Sequence, residues 1–406
     1  MERRWWAAVC LVVVFVIAGS LLHAGLAQDV KPKAVIEKLF PHSSKCKRCH
    51  ERAFEEWETS PLSKSIHSPV FRAALDEYLA FSGGKDKALC FRCHAPHVTE
   101  FMDQAQTFVT QTQSGDPSID GVGCAQCHLI KQVDRTAHQP VPKYEPGKTL
   151  FGPYKDAAQN LAHLSVELDL FRKSHLCLNC HQSVPSAANL AKSNDLLGSW
   201  ETSKAAKTGK ECQTCHMPEQ VGESANGENK RKVANHSFPG RIGKLRQEAA
   251  KLDVATEIKS DQTKVTVTVQ SLVPHNLPTT HPAWAQVVLD LTVMGKNLKT
   301  VYSDHRTYGR VFADAKGQKT VFDFAATKVL EDTVLKPDET RVETFTFATP
   351  KDTRTFDVEA ALSYAPVSGP QPFLQRIEAE SSKGAQDPAL QPIPITKRTI
   401  NVPVPQ

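Results

Sequence analysis

Ten cysteines of this chain stand in five pairs with two residues between, and a histidine directly follows every pair. The motifs are Cys46-Lys-Arg-Cys49-His50, Cys90-Phe-Arg-Cys93-His94, Cys124-Ala-Gln-Cys127-His128, Cys177-Leu-Asn-Cys180-His181 and Cys212-Gln-Thr-Cys215-His216. A disulfide framework does not explain the histidines. Structural zinc sites use Cys-x-x-Cys pairs but have no need of an adjacent histidine. Histidine makes up 16 of 406 residues, so five such coincidences have a chance on the order of one in ten million. Covalent c-type haem accounts for the whole pattern. Two thiols add to the haem vinyl groups, and the next residue lies under the iron as proximal ligand. The expected cofactors are five covalently attached haem c groups. Cys46, Cys49, Cys90, Cys93, Cys124, Cys127, Cys177, Cys180, Cys212 and Cys215 attach them, and His50, His94, His128, His181 and His216 are their proximal iron ligands.

What fills the opposite face of each iron separates a carrier from an enzyme. Beyond the motifs and His23 stand His42, His67, His97, His138, His163, His175, His236, His275, His281 and His305. Methionine is scarce, with only Met102, Met217 and Met294 after the N-terminal segment. The surplus of histidine argues for bis-histidine irons, which are low-spin and of low potential, because a second imidazole stabilises ferric iron better than a thioether does. The candidate distal ligands are His67, His138, His163, His236 and His275. His67 follows a segment whose Ala53, Phe54 and Trp57 share a helical face. His163 lies in a stretch read as helical from Asp156 to Phe171, and His138 trails the third motif. His236 and His275 sit in turn-ended and proline-bounded segments. His97 is too near His94 to reach the same iron and could reach a neighbour's. His42 and His175 are reserves, and His281 and His305 read as ordinary.

The first motif continues through Glu51-Arg-Ala-Phe-Glu-Glu-Trp57 to Ser65-Ile-His67, and the third is preceded by Gly121-Val-Gly123 and followed by His138. Across residues 42–140 this resembles the cytochrome c-554 family of multihaem cytochromes. The resemblance implies close-packed haem pairs that pass electrons along a chain, with His67 and His138 as distal ligands. Some relatives leave the haem of the second motif, here that on His94, without a distal protein ligand. The chain departs from the small members in having a fifth motif, a longer interval from Trp57 to His67 and a long C-terminal region. His275-Asn276-Leu277-Pro278-Thr279 looks like a segment that precedes β-strands in longer multihaem relatives.

The expected fold class is α+β and multidomain. Residues 1–27 read as an export signal or an N-terminal membrane anchor, with Arg3 and Arg4 before an apolar run from Trp5 to Leu22. Residues 28–250 read as a pentahaem cytochrome c domain of short helices and long loops, with the porphyrins as its core. Within it a helix is expected over Val70 to Phe81, ended by Gly83-Gly84. A polar loop is expected over residues 221–232, and a basic helix from Arg241 to Leu252. From there the texture changes. Val265, Val267 and Val269 alternate with polar residues, as do Phe356, Val358, Ala360, Leu362 and Tyr364. With Val287 to Val293 and Thr344 to Phe347 this period of two gives an antiparallel β-sandwich of Ig-like type over residues 251–370. Residues 371–406 read as a Pro-rich C-terminal tail that wraps the surface or stays mobile.

Apolar residues are 40% and charged residues 23%, which excludes a disordered chain and a polytopic membrane bundle. A formal charge of +5 with no run of five like charges points away from nucleic acid. The expected function is a chain of low-potential haems in an exported, periplasmic or extracellular electron-transfer pathway, possible membrane attachment coming through residues 1–27. Its partners would be redox proteins: a donor dehydrogenase or quinol oxidase, and an acceptor reductase or cytochrome. Two alternatives differ in class. One is a reductase of nitrogen or sulfur compounds with an open axial site, the other a subunit of an oligomer or extracellular haem filament.

Overall fold

The structure is a computed structural model, and it describes residues 38–134, 141–182, 195–240, 243–279, 284–382 and 391–405. The expected signal segment and His138 fall outside these. The chain divides into residues 1–41, of which only 38–41 are described, and residues 42–406. Among the described residues no helix is long and apolar enough to cross a membrane.

Short helices carry the motifs. Ser44–Lys47 holds Cys46 and Glu51–Glu58 follows the first motif, Phe91–His94 starts just after Cys90 of the second, and Cys124–His128, His175–His181 and Cys212–His216 contain the others. In the first motif the His50 N–H donates to Cys46 O at 2.9 Å, one helical turn back. Such a turn brings both thiols and the imidazole to one side. The helix expected at 70–81 spans Pro69–Ser82. Proline suits its first turn, where no intrahelical N–H is needed, and it ends at Gly83 with φ +61°. Phe71, Ala73, Leu75 and Tyr78 form its buried face.

Between the helices lie three two-stranded sheets. They are β1 (Ile130–Asp134) with β2 (Val141–Tyr144), β3 (Thr149–Gly152) parallel to β4 (Leu164–Glu167), and β5 (Glu219–Gly222) with β6 (Arg231–Ala234). Two expectations need correction here. Residues 156–168 are not helical, and only a short 3-10 turn over Asp169–Arg172 ends the stretch. Asn160 Oδ1 accepts from the Ala162 and His163 N–H groups at 2.8 and 3.1 Å, which folds a turn that delivers the chain into β4. The expected loop at 221–232 is instead the tip and flanks of a hairpin.

The remaining strands are β7 (Ala250–Lys259), β8 (Gln262–Ser271), β9 (Gln286–Met294), β10 (Thr300–Tyr308), β11 (Arg310–Asp314), β12 (Lys319–Thr320), β13 (Ala326–Asp332), β14 (Thr340–Ala348), β15 (Thr355–Ala365) and β16 (Ile393–Pro403). One antiparallel sheet has the order β10-β9-β15-β16 and the other β14-β8-β7, while β12-β11-β13 form a small third sheet. Val265, Val267 and Val269 of β8 and Phe345 of β14 meet Val287, Leu289, Leu291 and Val293 of β9 and Val358, Ala360 and Leu362 of β15 in one buried core. Each fully buried aliphatic side chain contributes about 1.5–3 kcal/mol, and period-two alternation is what places them all on the inner faces. The fold is mixed α+β, as expected.

Two further readings change. The basic helix is confined to Lys244–Gln247, because from Ala250 the backbone pairs with β8 in the register Ala250↔Ser271. The segment read as a tail forms a helix, Gln371–Ser381, and then β16, which closes the edge of the larger sheet. Phe373 and Ile377 of that helix pack on Ala73 of the 69–82 helix. Arg72 pairs with Glu380 at 3.0 Å, and Arg376 with Glu77 at 3.0 Å.

Candidate haem centres

All ten motif cysteines are free of disulfides. Among the described residues no group of three or more His, Cys, Asp or Glu side chains could hold a bare metal ion. In four motifs the histidine Nδ1 donates to a backbone carbonyl. His50 reaches Ser224 O at 2.8 Å, His94 reaches Ser65 O at 3.0 Å, His128 reaches Phe151 O at 2.6 Å and His216 reaches Pro239 O at 2.6 Å. A carbonyl can only accept, so the proton is on Nδ1 and the lone pair on Nε2. That is the tautomer and orientation a metal-ligating imidazole needs.

Other histidines face these rings. The His163 ring lies 6.1 Å from that of His50 with planes 27° apart, and the His275 ring lies 6.3 Å from that of His216 at 22°. Two metal–nitrogen bonds of about 2.0 Å laid end to end, with half a ring on each side, separate ring centres by roughly 6 Å. The residues present therefore fit an iron held between each pair. His236 lies close enough to His128 for that ring to disfavour a positive charge on it. His236 Nδ1 donates to Ala234 O at 3.1 Å and His275 Nδ1 to Asn276 O at 3.0 Å, again leaving Nε2 free. Burial pushes both imidazoles down to about 4, so each is neutral and ligand-competent near neutral pH.

The other candidates behave differently. His67 donates from Nε2 to Ile119 O at 3.2 Å, which leaves only Nδ1 for a metal. The segment around it has a second task. Ser65 O holds His94, while Ser65 Oγ donates to His94 O at 2.8 Å and accepts from the Val122 N–H at 3.0 Å. Trp57 Nε1 donates to Val122 O at 2.8 Å. Gly121 is required at this crossing, since a Cβ there would lie 2.0 Å from Ser65 Oγ.

His97 is buried. Its Nδ1 accepts from Gln126 Nε2 at 2.9 Å, and Gln126 is oriented by the Gly123 N–H donating to its Oε1 at 3.1 Å. The neutral ring therefore carries its proton on Nε2, the opposite of a ligating tautomer. Burial lowers His97 from its ordinary value near 6.5 to about 4. Because the folded value is depressed, the associated stability is complete above about pH 6.5 and is lost as pH falls toward 4, amounting to roughly 3 kcal/mol. His97→Gln is expected to flatten this dependence. Denaturant midpoints at about pH 7 and about pH 4.5 test it, and an equally steep fall in the variant would assign the acid sensitivity elsewhere.

The motifs are also brought together. The thiol of Cys46 lies beside that of Cys124, that of Cys93 beside that of Cys180, and that of Cys177 beside that of Cys212. Tyr144 stands where the second, third and fourth motifs converge, its hydroxyl pushed up by burial and by the nearby Cys180, Cys127 and Cys93, and it donates to Gln126 O at 3.3 Å. Sequence reasoning missed the side chains that organise these contacts, Ser43 with Asp120 and Ser174 with Glu211. The available signal was a serine three residues before the first cysteine in motifs one and four.

The family model for cytochrome c554 and c-prime matches residues 45–129. A search of curated proteins finds no match. Among solved structures, a penta-haem cytochrome c552 from Thermochromatium tepidum is similar over 90% of this chain and 100% of its own, with a TM-score of 0.63 at 22% identity. The C-terminal domain of wzt overlaps 39% of this chain and 74% of its own at a TM-score of 0.22 and 12% identity, too little to carry an argument. Five Cys-x-x-Cys-His turns, four of them with histidines oriented through Nδ1, the family match over residues 45–129 and the fold similarity together support a multihaem c-type cytochrome with a β-rich C-terminal domain.

Proposed function

We propose that the chain carries five haem c groups and works as an exported electron conduit between redox proteins. The observation that supports this most is the facing of His163 on His50 and of His275 on His216, at 6.1 and 6.3 Å. When bound, haem supplies one-electron ferric–ferrous exchange. The protein's part is to hold each iron on two neutral imidazoles, which favours low-spin iron of low potential. His50 with His163, His128 with His236, and His216 with His275 are the pairs this reading assigns. His67 and His138 remain the candidates for His94 and His181.

The thiol contacts arrange the motifs into two linked groups, the first with the third and the second with the fourth and fifth. Tyr144, between the second, third and fourth motifs, spans them. Electrons entering at one end would then pass between adjoining groups without leaving the protein. Export follows from the cofactor chemistry and from residues 1–27, which read as a signal or an anchor.

The test is a haem count by intact mass together with an EPR spectrum of the ferric protein. Five haems, all low-spin, are expected. His163→Ala is expected to convert one haem to high-spin and leave the others unchanged. A high-spin haem in the unmodified protein would instead favour the reductase reading, and a variant that stayed fully low-spin would remove His163 from the assignment.

A further inference from the structure

Two places in the molecule, far apart in sequence, repeat the same hydrogen bonds atom for atom. At the first, the Ser43 N–H and Oγ–H both donate to Asp120 Oδ2 at 2.7 Å, and Ser43 Oγ accepts from the Cys124 N–H at 3.0 Å. At the second, the Ser174 N–H and Oγ–H donate to Glu211 Oε2 at 2.8 and 2.6 Å, and Ser174 Oγ accepts from the Cys212 N–H at 3.0 Å. In each case the serine stands three residues before the first cysteine of one motif and caps the first cysteine of another. The joined cysteines are the ones whose thiols touch, Cys46 with Cys124 and Cys177 with Cys212.

We infer that Ser43–Asp120 and Ser174–Glu211 are two copies of one positioning device, which sets how closely the haem edges of motifs one and three, and of motifs four and five, approach each other. The inference rests on the reading that these motifs carry haem. The space is built for it, since a Cβ on Gly123 would lie 2.4 Å from Ser43 Oγ and 2.6 Å from Asp120 Oδ2. The carboxylate is needed because one oxygen must accept from both the serine N–H and its hydroxyl. A charge-assisted acceptor holds such a pair more firmly than a neutral one. The backbone N–H at the start of each motif helix would otherwise lack an intrahelical partner.

The two copies differ in their outer neighbour. Asp120 Oδ1 meets His42 Nε2 at 2.9 Å and its side chain is 5% exposed, whereas Glu211 lies 3.9 Å from Lys173 Nζ and is 22% exposed. A negative charge beside a haem edge favours the ferric state, and burial strengthens the effect. Each carboxylate therefore also lowers the potentials of its own pair, Asp120 the more strongly.

The test uses the full haem-loaded protein and its Asp120→Asn and Glu211→Gln variants in redox titrations that resolve the five haems. The haem count of the unmodified protein checks the underlying reading separately. Asp120→Asn is expected to raise the potentials of two haems, Glu211→Gln to raise two different ones by less, and the double variant to raise all four. A shift spread over all five, the same two haems shifting in both variants, or no shift would overturn the inference. Ser43→Ala is expected to slow electron exchange within the first pair, with Ser43→Thr restoring it. If a variant loses haem, peptide mapping decides. Loss confined to the Cys46 and Cys124 motifs supports the device, and loss elsewhere refutes it.

Discussion

On the proposed ligation, His275→Ala is expected to leave one haem high-spin and to raise its potential, with the rest of the protein folded. His275 lies in the loop after β8, presented toward His216 by a pair of hydrogen bonds between Leu277 and Leu335 at 2.9 and 3.0 Å. That pairing ties the loop to the segment before β14, so the ring is aimed by the sandwich and not by the motif it serves. Removing it would take away the second neutral imidazole of the proposed pair, which favours ferric iron. Axial ligands set haem potentials over about 0.8 V, so the rise should be on the order of 0.1 V. EPR gives the spin state and a redox titration the potential. His275→Met should restore six-coordination while keeping the potential high. A fully low-spin alanine variant would mean that another residue caps the iron on His216.

Leu291→Ala is expected to destabilise the sandwich by about 2–5 kcal/mol, the range for emptying a leucine site in a packed core. Leu291 has no exposed surface and sits in the middle of β9, between Asp304 of β10 and Ala360 of β15. The neighbouring strands cannot collapse onto the cavity without breaking their own registers. Denaturant titration followed by far-ultraviolet circular dichroism should show the sheet signal lost at lower denaturant. The low-spin signal of the haem assigned to His216 and His275 should be lost with it, and that of the haem assigned to His50 and His163 should persist. Simultaneous loss of every signal would mean that the two regions unfold as one cooperative body.

The five motifs were legible because covalent attachment chemistry demands a fixed spacing, and in four of them the structure adds an Nδ1 hydrogen bond that orients the histidine. The sandwich strands were legible because Val265, Val267 and Val269 obey a period of two against a buried face. His163 and His275 were chosen from a crowd of spare histidines, and here the structure adds what the sequence cannot, the ring opposite each. The misreadings have local causes. A helical texture from 156 to 171 was outweighed by the side-chain bonds of Asn160 and of Gln159, which turn the chain before β4. The prolines of Ile393–Pro403 suggested a tail, yet they sit near the ends of an edge strand, where a missing donor is tolerated. Asp120 and Glu211 carry no motif of their own, and only the folded chain puts each beside its serine.

The contrast between motif and cap has a consequence for the order of maturation. Each Cys-x-x-Cys-His turn is made of contacts a few residues apart, which form early and fast. The loop that aims His275 depends on β8, on Leu335 and on a sandwich whose β9 pairs with β15, contacts of long sequence separation that form late. Thioether attachment at the fifth motif can therefore precede the capping of its iron. On the proposed ligation, a newly made chain should pass through a stage in which that haem is bound and reactive, and the closing of the β-domain would end it.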